Sequence, residues 1–416
     1  MEKSRRLFEE ALTIFPGGVH SPVRGRVKPY PFYVDRAKGA RLHTVDDLVL
    51  TDYCMAYGAL MLGHGDLRVQ EFIKSQLEKG WIYGAPTELE LELAKLIMRH
   101  FKSIEKIRFV NSGCEATMLA VRIARAYTER DYVVKFDGCY HGANDVLLAS
   151  RHLKPKGVLS EVSDKVLIAR YNDYDDVESL FKKFGDQIAC IIVEPVAANM
   201  GLVIPSIDFI KGLRELCNHY GSLLLFDEIV TGFRVCLGGA QNLYGIEPDI
   251  TTLGKIIGGG FPIGAVGGRR DLLSLISPEG PVFNAGTFNA HPISMAAGIA
   301  TLKILEEGGP HVVANKAAKT IADEVENYVN QLHLNVQVTC LASMFHFFFA
   351  EKPVKNYDDA QKSNTILYDK FHEKLLREGV FIPPSQFEVC FTSSSHDDEV
   401  VTSSLEKMKN VLRSLR

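Results

Sequence analysis

The sequence predicts an α/β fold, with a large domain that has a mostly parallel sheet between helices and a smaller α+β domain. At 416 residues the chain is too long for one ordinary domain and suits two. From about residue 105, short apolar β-type segments alternate with segments of helical periodicity, which is typical of a parallel sheet covered by helices. After Leu305 the turn-forming sequence EEGGP ends this alternation, so we expect the large domain to end there.

The individual elements follow from apolar periodicity. The predicted strands of the large domain are Ile107–Val110, Tyr132–Phe136, Ile188–Val193, Ser222–Phe226, Ile250–Thr252 and Ile263–Val266. Its predicted helices are Glu115–Arg130 and Phe209–His219, and Gly221 is expected to cap the second. In the small domain we expect a helix at Val312–Leu332, strands at Val336–Leu341 and Phe345–Phe349, and a helix at Ile366–Glu378.

Composition and charge favour a globular protein that acts on a small molecule. Hydrophobic residues make up 46% and charged residues 24% of the chain, enough to bury a sizeable core. The net charge of -4 and the lack of a dense Lys/Arg block argue against nucleic-acid binding. No stretch of about 18 apolar residues predicts a membrane span, and the charged start MEKSRRLFEEALTIF does not resemble a signal peptide. We therefore expect a cytoplasmic protein.

The cysteines and histidines show no pattern of a metal site. The eight cysteines lie at 54, 114, 139, 190, 217, 236, 340 and 390, without a CxxC pair. The histidines, among them His64 and His291, form no HxxxH pair. We expect reduced thiols and no bound metal.

The sequence Asn111-Ser112-Gly113-Cys114-Glu115 stands between a predicted strand and a predicted helix. Small residues at a helix N-terminus expose backbone N–H groups at the positive end of the helix dipole, an arrangement that binds phosphate. The local pattern is equally compatible with Ser112 acting only as an N-cap.

Asp227 ends the apolar segment SLLLFD, at the carboxyl edge of the predicted sheet, where open α/β sheets bind ligands. A carboxylate there can hold the protonated ring nitrogen of a pyridine cofactor. The alternative is an aspartate that binds Mg²⁺ beside a nucleotide, but the chain has no GxxxxGK[ST] sequence to complete that site.

Lys255 ends the segment TTLGK and precedes the glycine-rich sequence IIGGGFPIGAVGG. A lysine at a strand exit is only partly solvated, so its pKa can fall and its amine can act as a nucleophile and carry protons. An isolated lysine is far more often a solvated surface residue. The following glycines favour the functional interpretation, because backbone that passes close to another group needs glycine. The spacing differs from GxGxxG, which argues against a dinucleotide site.

Tyr140 and His141 follow the predicted strand YVVKF within the sequence GCYHG, again at the edge of the sheet. The Tyr140 ring is suited to stacking on an aromatic cofactor, with His141 close to it. On local pattern alone, an aromatic residue at a strand end is more often part of the core.

In this order, the motifs resemble the class III aminotransferases of pyridoxal-phosphate fold type I, and most closely their aminomutase branch. The likeness covers nearly the whole chain. The matching segments are GGVHSPVR (17–24), YGAPTELE (83–90), RFVNSGCEA (108–116), FDGCYHG (136–142), VEPVAANMG (193–201), LLLFDEIVTGFR (223–234), DITTLGKIIGGGFPIGA (249–265), FNAGTFNAHP (283–292) and PPSQFEVCFTS (383–393). The sequences SPVR, GAP and PSQFE are specific to the aminomutase branch.

The resemblance implies a division of the chain and an assembly. Residues 1–50 would form an N-terminal segment that packs with the small domain, residues 51–305 the large cofactor-binding domain, and residues 306–416 the small domain. The protein would be a homodimer with shared active sites.

The resemblance also implies a role for each candidate residue. Lys255 would hold pyridoxal 5'-phosphate as a Schiff base, and Asp227 would face its pyridine nitrogen. The other cofactor contacts would come from Ser112, Gly113, Cys114, Tyr140, His141, Glu194, Asn199, Val230 and, from the neighbouring subunit, Thr287. The substrate would be bound by Ser21, Arg24 and Glu388. Family members commonly have threonine at the position of Cys114, so the contact there is expected to be through the backbone.

The implied reaction is an internal exchange of an amino group that converts (S)-4-amino-5-oxopentanoate to 5-aminolevulinate, a tetrapyrrole precursor. The cofactor would alternate between pyridoxal 5'-phosphate and pyridoxamine 5'-phosphate, through a 4,5-diaminovalerate stage, with Lys255 carrying protons in both half-reactions. One alternative is a class III transaminase with separate amino donor and acceptor. Another is a nucleotide-binding or regulatory protein with a degenerate fold, and the presence of both Asp227 and Lys255 at strand ends argues against it.

Residues 150–170, SRHLKPKGVLSEVSDKVLIAR, depart from the aminomutase branch, in which we expect a longer lid rich in glycine and serine. This segment has a single glycine. A lid excludes water and retains intermediates, so a short segment favours escape of the diamine and the behaviour of an ordinary transaminase.

Overall fold

The computed structural model describes residues 1–151 and 155–415. The strands are β1 (Val34–Lys38), β2 (Arg41–Thr44), β3 (Val49–Asp52), β4 (Lys106–Val110), β5 (Tyr132–Phe136), β6 (Val166–Ala169), β7 (Ile188–Val193), β8 (Leu223–Asp227), β9 (Ile250–Gly254), β10 (Gly264–Gly268), β11 (Gln337–Leu341), β12 (Met344–Phe348), β13 (Val380–Phe381) and β14 (Cys390–Phe391). The helices are α1 (Glu2–Ile14), α2 (Met55–Gly58), α3 (Leu67–Leu77), α4 (Glu88–His100), α5 (Gly113–Thr128), α6 (Ser160–Ser163), α7 (Tyr174–Phe184), α8 (Ile207–Tyr220), α9 (Gly239–Tyr244), α10 (Arg270–Leu273), α11 (Pro292–Glu306), α12 (Gly309–Gln331), α13 (Tyr357–Gln361), α14 (Thr365–Arg377) and α15 (Asp398–Arg413). Short 3₁₀ helices lie at Pro16–Gly18, Pro22–Arg26, Gly185–Gln187 and Lys255–Gly258.

A seven-stranded sheet, in the order β4-β10-β9-β8-β7-β5-β6, is the centre of the structure. Strands β9, β8, β7, β5 and β6 are parallel, whereas β10 runs antiparallel to both of its neighbours. Every residue of β7, β8, β9 and β10 is buried, because helices cover both faces of the sheet. The prediction of an α/β fold with a mostly parallel sheet is confirmed.

All predicted strands and helices form close to their expected positions, and Gly221 caps α8 in the left-handed conformation, with φ of 65°. The sequence analysis missed β6, which pairs in parallel with β5 at the edge of the sheet. This strand lies inside the segment 150–170 that we interpreted as the position of a lid. The connection available for a lid is therefore confined to residues 150–165, of which 152–154 lie outside the described residues.

The two ends of the chain share a second sheet. Strands β1, β2 and β3 are antiparallel, and β13 joins β3 in parallel through the pairs Thr51–Val380 and Asp52–Phe381. A third sheet, β11-β12-β14, packs with α12, α14 and α15 around a core of aromatic side chains that includes Phe345 and Phe347. We keep the division into residues 1–50, 51–305 and 306–416 as a proposal. Among the described residues, no helix combines the length and the apolar character needed to cross a membrane.

Helix α11 supports the backbone that carries Lys255. It is buried along almost its whole length, and Gly298 lies against the 3₁₀ turn that begins at Lys255. A Cβ added to Gly298 would overlap the carbonyl oxygen of Ile257. The turn is therefore placed by a close backbone contact that only glycine allows at this position.

We expect Gly298→Ala to lower the thermal stability of the protein. The added methyl group forces α11 or the Lys255 turn to move, and overpacking of this kind costs about 1–3 kcal/mol. Gly309→Ala is the matched control, because a Cβ at Gly309 would meet no atom within 4 Å. Calorimetry should show a lower unfolding midpoint for the first variant only, and equal midpoints for the two would contradict the close contact.

Candidate active site

The carboxyl edge of the central sheet opens into a cavity of about 610 Å³. Loops that follow β4, β5, β7, β8 and β9 meet there, as expected for an open α/β sheet. Of the predicted site residues, the cavity is lined by Ser21, Ser112, Gly113, Cys114, Tyr140, His141, Glu194, Asn199, Asp227, Val230, Lys255 and Glu388. Two predicted residues, Arg24 and Thr287, lie outside it in the single chain.

The N-terminus of α5 forms one wall of the cavity. Ser112 is the N-cap, because its Oγ accepts a hydrogen bond from the N–H of Glu115 at 3.2 Å. A helix leaves the N–H groups of its first turn without partners inside the helix, so those of Gly113 and Cys114 are available to an anion. A Cβ at Gly113 would lie 2.5 Å from Cδ1 of Ile229. Ser112 thus caps α5 and also lines the cavity, and its part in phosphate binding stays a prediction.

Asp227 is a buried carboxylate with partners on both oxygens. A hydrogen bond of 2.7 Å joins its Oδ2 to Nδ1 of His141, and both side chains are buried. Its Oδ1 accepts a hydrogen bond from the N–H of Ile229 at 3.1 Å. Nε2 of His141 is buried and has no hydrogen-bond partner in the part of the chain that the structure describes. His141 therefore orients Asp227, a role that the sequence analysis did not foresee.

Lys255 follows β9 directly and lines the cavity beside Asp227. It adopts φ of 49°, a left-handed conformation that is strained for a residue other than glycine and is often found at functional sites. Its side chain makes no hydrogen bond or ion pair within residues 1–151 and 155–415. Burial lowers the pKa of the Lys255 amine, although Glu388, Glu194 and Asp227 act in the opposite direction. The amine is therefore easier to deprotonate to its nucleophilic form than that of a solvated lysine.

Glu194 orders the wall formed by Tyr140 and Asn199. Its carboxylate accepts hydrogen bonds from the N–H of Tyr140 at 2.7 Å, from the N–H of Ala198 at 2.8 Å and from Nδ2 of Asn199 at 3.0 Å. Burial raises the pKa of Glu194. The side chain of Tyr140 stays 54% exposed, so its ring is accessible for stacking on a ligand.

Glu388 lines the cavity from the segment that precedes β14. Burial raises its pKa to about 7, and the neighbouring carboxylate of Glu194 contributes to the increase. Lys255 and Arg26 lower the pKa of Glu388 but do not cancel the effect of burial. Near neutral pH this side chain therefore changes charge beside the Lys255 amine.

Arg24 and Thr287 do not line the cavity that contains Lys255. Arg24 lines a second cavity of about 530 Å³, which shares Ala56 and Tyr57 with the first. Thr287 is exposed, in the loop that precedes α11. Binding of the substrate carboxylate by Arg24 stays a prediction. Contact of Thr287 with a neighbouring subunit's cofactor also stays a prediction.

The sequence analysis missed Ala56 and Tyr57, which line the cavity from α2. This element is a left-handed turn, in which Met55, Ala56 and Tyr57 have φ of 45°, 53° and 55°. Oδ1 of Asp52 accepts hydrogen bonds from the backbone N–H groups that open the turn. No local signal predicts such a turn, because residues other than glycine adopt it only under tertiary constraint.

Comparison with known proteins agrees with this arrangement. The family model described as Aminotransferase class-III matches residues 23–412. The chain is 51% identical over 423 residues to a protein of Hyperthermus butylicus named glutamate-1-semialdehyde 2,1-aminomutase, covering 100% of this chain and 99% of that relative. The solved structure of an omega-transaminase from Sphaerobacter thermophilus matches with a TM-score of 0.93 and 32% identity, over 99% of this chain and 98% of that one. A structure described as a transaminase with PLP bound matches with a TM-score of 0.92 and 31% identity, over 100% and 98% of the two chains.

We expect Glu388 to make the cofactor-free protein less stable as pH rises. The folded-state pKa of about 7 lies above the ordinary value of 4.5, so between these values the folded state binds more protons than the unfolded state. The contribution of Glu388 is complete below the unfolded pKa and is lost as pH rises through the folded pKa. Chemical denaturation at about pH 5 and about pH 7 should show a smaller loss for Glu388→Gln than for the unmodified protein.

The control for this measurement is Glu351→Gln, which changes an exposed glutamate on the small domain. It should lose as much stability between the two pH values as the unmodified protein. If Glu388→Gln also loses the same amount, the raised pKa of Glu388 is refuted.

Proposed function

Because the chain belongs to the class III aminotransferase family, we propose that it is an aminomutase that converts glutamate-1-semialdehyde, (S)-4-amino-5-oxopentanoate, to 5-aminolevulinate in tetrapyrrole biosynthesis. The observation that carries the proposal is the amine of Lys255, which has no ion-pair partner among the described residues and shares one cavity with Asp227 and with the N-terminus of α5. The identity of about half of all residues with proteins named glutamate-1-semialdehyde 2,1-aminomutase, over the whole chain, supports this substrate. The unpaired state of all eight cysteines supports a reducing compartment such as the cytoplasm.

The lining residues fit pyridoxal phosphate, which supplies an electron sink and, in its pyridoxamine form, the amino group. The N–H groups of Gly113 and Cys114, in the first turn of α5, would bind the phosphate, and the lack of a Cβ at Gly113 lets Ile229 pack against this turn. Asp227, oriented by His141, would hold the protonated ring nitrogen. Tyr140 and Val230 offer ring and aliphatic surface for the flat cofactor.

Lys255 would carry the proton transfers of both half-reactions. Its lowered pKa favours the neutral amine, which can take a proton from a substrate carbon. The carboxylates of Glu388, Glu194 and Asp227 then stabilise the charge that develops on Nζ. Since the side chain has no partner among the described residues, it can deliver the proton to a second carbon without breaking a hydrogen bond.

The charges around the cavity orient a substrate that bears one carboxylate. When Glu388 is charged, it repels the substrate carboxylate from its own end of the cavity. We propose that the substrate carboxylate points the other way, past Tyr57 toward Arg24. Ser21, which lines the cavity on the same N-terminal segment, would assist.

The second candidate function is transamination between a separate amino donor and acceptor. It shares the proposed roles of Lys255 and Asp227. The likeness to an omega-transaminase over nearly the whole chain favours it, as does the short connection at residues 150–165.

The two functions differ in whether one substrate is sufficient. The pyridoxamine form of the protein should produce 5-aminolevulinate from glutamate-1-semialdehyde alone. Lys255→Ala should lower the rate by about 10²- to 10⁴-fold, because general acid–base catalysis is lost, whereas Lys316→Ala on the exposed face of α12 should retain it. A strict requirement for an added amine donor or keto acid would refute the aminomutase and favour the transaminase.

We also propose that the protein is a homodimer in which each subunit completes the other's site. Large apolar side chains are exposed just before one matching segment and inside another: Trp81 is 61% exposed, and Phe283 and Phe288 are 71% and 57% exposed. Nδ2 of Asn111, at the phosphate end of the cavity, donates a hydrogen bond to Oδ1 of Asn289 at 3.0 Å. This bond, which lies within one subunit, holds the loop of Thr287 beside the first turn of α5, so an exposed Thr287 stands next to the surface that a second subunit would cover.

Mixed dimers test the shared site. In a dimer of one Lys255→Ala subunit and one Thr287→Ala subunit, crossing over of Thr287 puts both lesions in the same site and leaves the other site intact. Such dimers should keep about half of the unmodified activity at limiting cofactor, while Thr287→Ala homodimers should bind the cofactor about 10- to 100-fold more weakly through loss of a hydrogen bond to a charged group.

The matched control is Thr402→Ala, an exposed threonine on α15, which should leave cofactor affinity unchanged. Mixed dimers whose remaining site binds the cofactor as weakly as the Thr287→Ala homodimer would show that Thr287 serves its own subunit.

A further inference from the structure

Arg234 is a fully buried guanidinium without a carboxylate partner. Its side chain is 0% exposed, and it forms no ion pair in residues 1–151 and 155–415. Burial lowers its pKa to about 9, so it still carries its charge at neutral pH. A buried charge that no opposite charge compensates is destabilising. The residue therefore calls for an explanation other than stability.

The guanidinium joins three segments that are distant in the sequence. Nη2 donates a hydrogen bond to the carbonyl of Gly58 at 2.9 Å, and Nη1 donates one to Oγ of Ser343 at 2.9 Å and one to the carbonyl of Thr392 at 3.4 Å. Its Cζ lies 4.8 Å from the ring centroid of Phe391. Arg234 itself belongs to the loop that begins at Asp227, so it connects the cofactor half of the site with the small domain and with α2.

Gly58, at the end of α2, contacts both this guanidinium and the Phe391 ring. Gly58 has φ of 87°, and a Cβ there would lie 2.9 Å from Cε1 of Phe391. The three residues before it also have left-handed φ values, a conformation that persists only when its surroundings determine it. The hydrogen bonds from Asp52 hold the start of the turn, and the bond from Arg234 holds its end.

We propose that Arg234 is a positioning residue for substrate recognition: it fixes the Met55–Gly58 turn against the Asp227 loop and so sets the place of Tyr57. Tyr57 separates the cavity of Lys255 from the cavity of Arg24, and its position decides whether a substrate in the first can reach the guanidinium in the second. This inference rests on the proposed function, because it concerns where that substrate binds.

A purely structural role makes a different prediction. Replacing Arg234 by methionine removes the cost of an uncompensated buried charge, which offsets the loss of its hydrogen bonds to Gly58, Ser343 and Thr392. Arg234→Met should therefore keep or raise the unfolding midpoint while releasing the turn. If Arg234 is only a structural link, loss of stability and loss of activity should appear together, with no specific effect on the turn.

Hydrogen exchange of the holoenzyme, followed by mass spectrometry, measures the turn directly. In Arg234→Met the amides of residues 53–60 should exchange about tenfold faster, because a hydrogen bond from a charged donor is lost. The control is Arg214→Gln, which removes an arginine that pairs with Asp249 at 2.7 Å away from the cavity. It should lower the midpoint without faster exchange at residues 53–60.

Steady-state kinetics give the second readout. We expect the KM of Arg234→Met for glutamate-1-semialdehyde to rise about tenfold and kcat per bound cofactor to change less than KM, since Arg234 acts on substrate binding through the turn and on the Lys255 amine only through its charge. Arg234→Lys keeps the charge and one donor and should restore part of the affinity. Should Arg234→Met not fold, Arg234→Lys carries the test, with an intermediate change in both readouts.

Unchanged exchange at residues 53–60 together with an unchanged KM in the folded variants would overturn the proposal. The exchange measurement needs no substrate, so it tests Arg234 even if the unmodified protein forms no 5-aminolevulinate. Absence of 5-aminolevulinate would refute the proposed function alone. The KM would then be measured for the amine donor that the protein uses.

Discussion

The hydrogen bond between His141 and Asp227 is the interaction on which the site depends. Asp227 ends the central strand β8, and both partners are buried. Oδ2 of Asp227 would therefore lose its hydrogen-bond partner if His141 moved. The neighbouring strands β7 and β9 run parallel to β8 and end at the same edge, where they deliver Glu194 and Lys255 on either side. Strand order alone therefore places the Asp227 carboxylate between the Lys255 amine and the Glu194 carboxylate, and the loops complete the site.

Burial and attraction between opposite charges act against each other in this cluster. Burial lowers the pKa of Lys255 and raises the pKa of Glu388, while the attraction between these two groups acts in the opposite sense. Repulsion between carboxylates adds to the effect of burial on the pKa values of Glu194 and Glu388. The Lys255 amine is thus easier to deprotonate than a solvated lysine, and the carboxylates around it limit that effect. That balance suits a group that must take a proton and return it within one catalytic cycle. The charge of Arg234 also lowers the pKa of Lys255, so it reinforces the effect of burial.

The parts of the site that the sequence predicts are those that local patterns determine. Asp227 and Lys255 stand at the ends of apolar strands, and Ser112 stands where a helix begins, so each position follows from periodicity. Strand β6 was missed because it has only four residues of mixed burial at the sheet edge. The place of Tyr57 was missed because a left-handed turn of ordinary residues is imposed by groups far along the chain, here Asp52 and Arg234.

The short connection after β5 raises the question of what encloses the substrate, and the N-terminal segment offers an answer. Ser21 and Val23 line the main cavity from the segment that runs into the 3₁₀ helix Pro22–Arg26. Arg26 donates a hydrogen bond to Oγ of Ser385 at 3.3 Å, three residues from Glu388, so this helix is attached to the small-domain side of the site. Ser21 and Val23 therefore form part of the cavity wall on this side, and enclosure of the substrate does not depend on residues 150–165 alone.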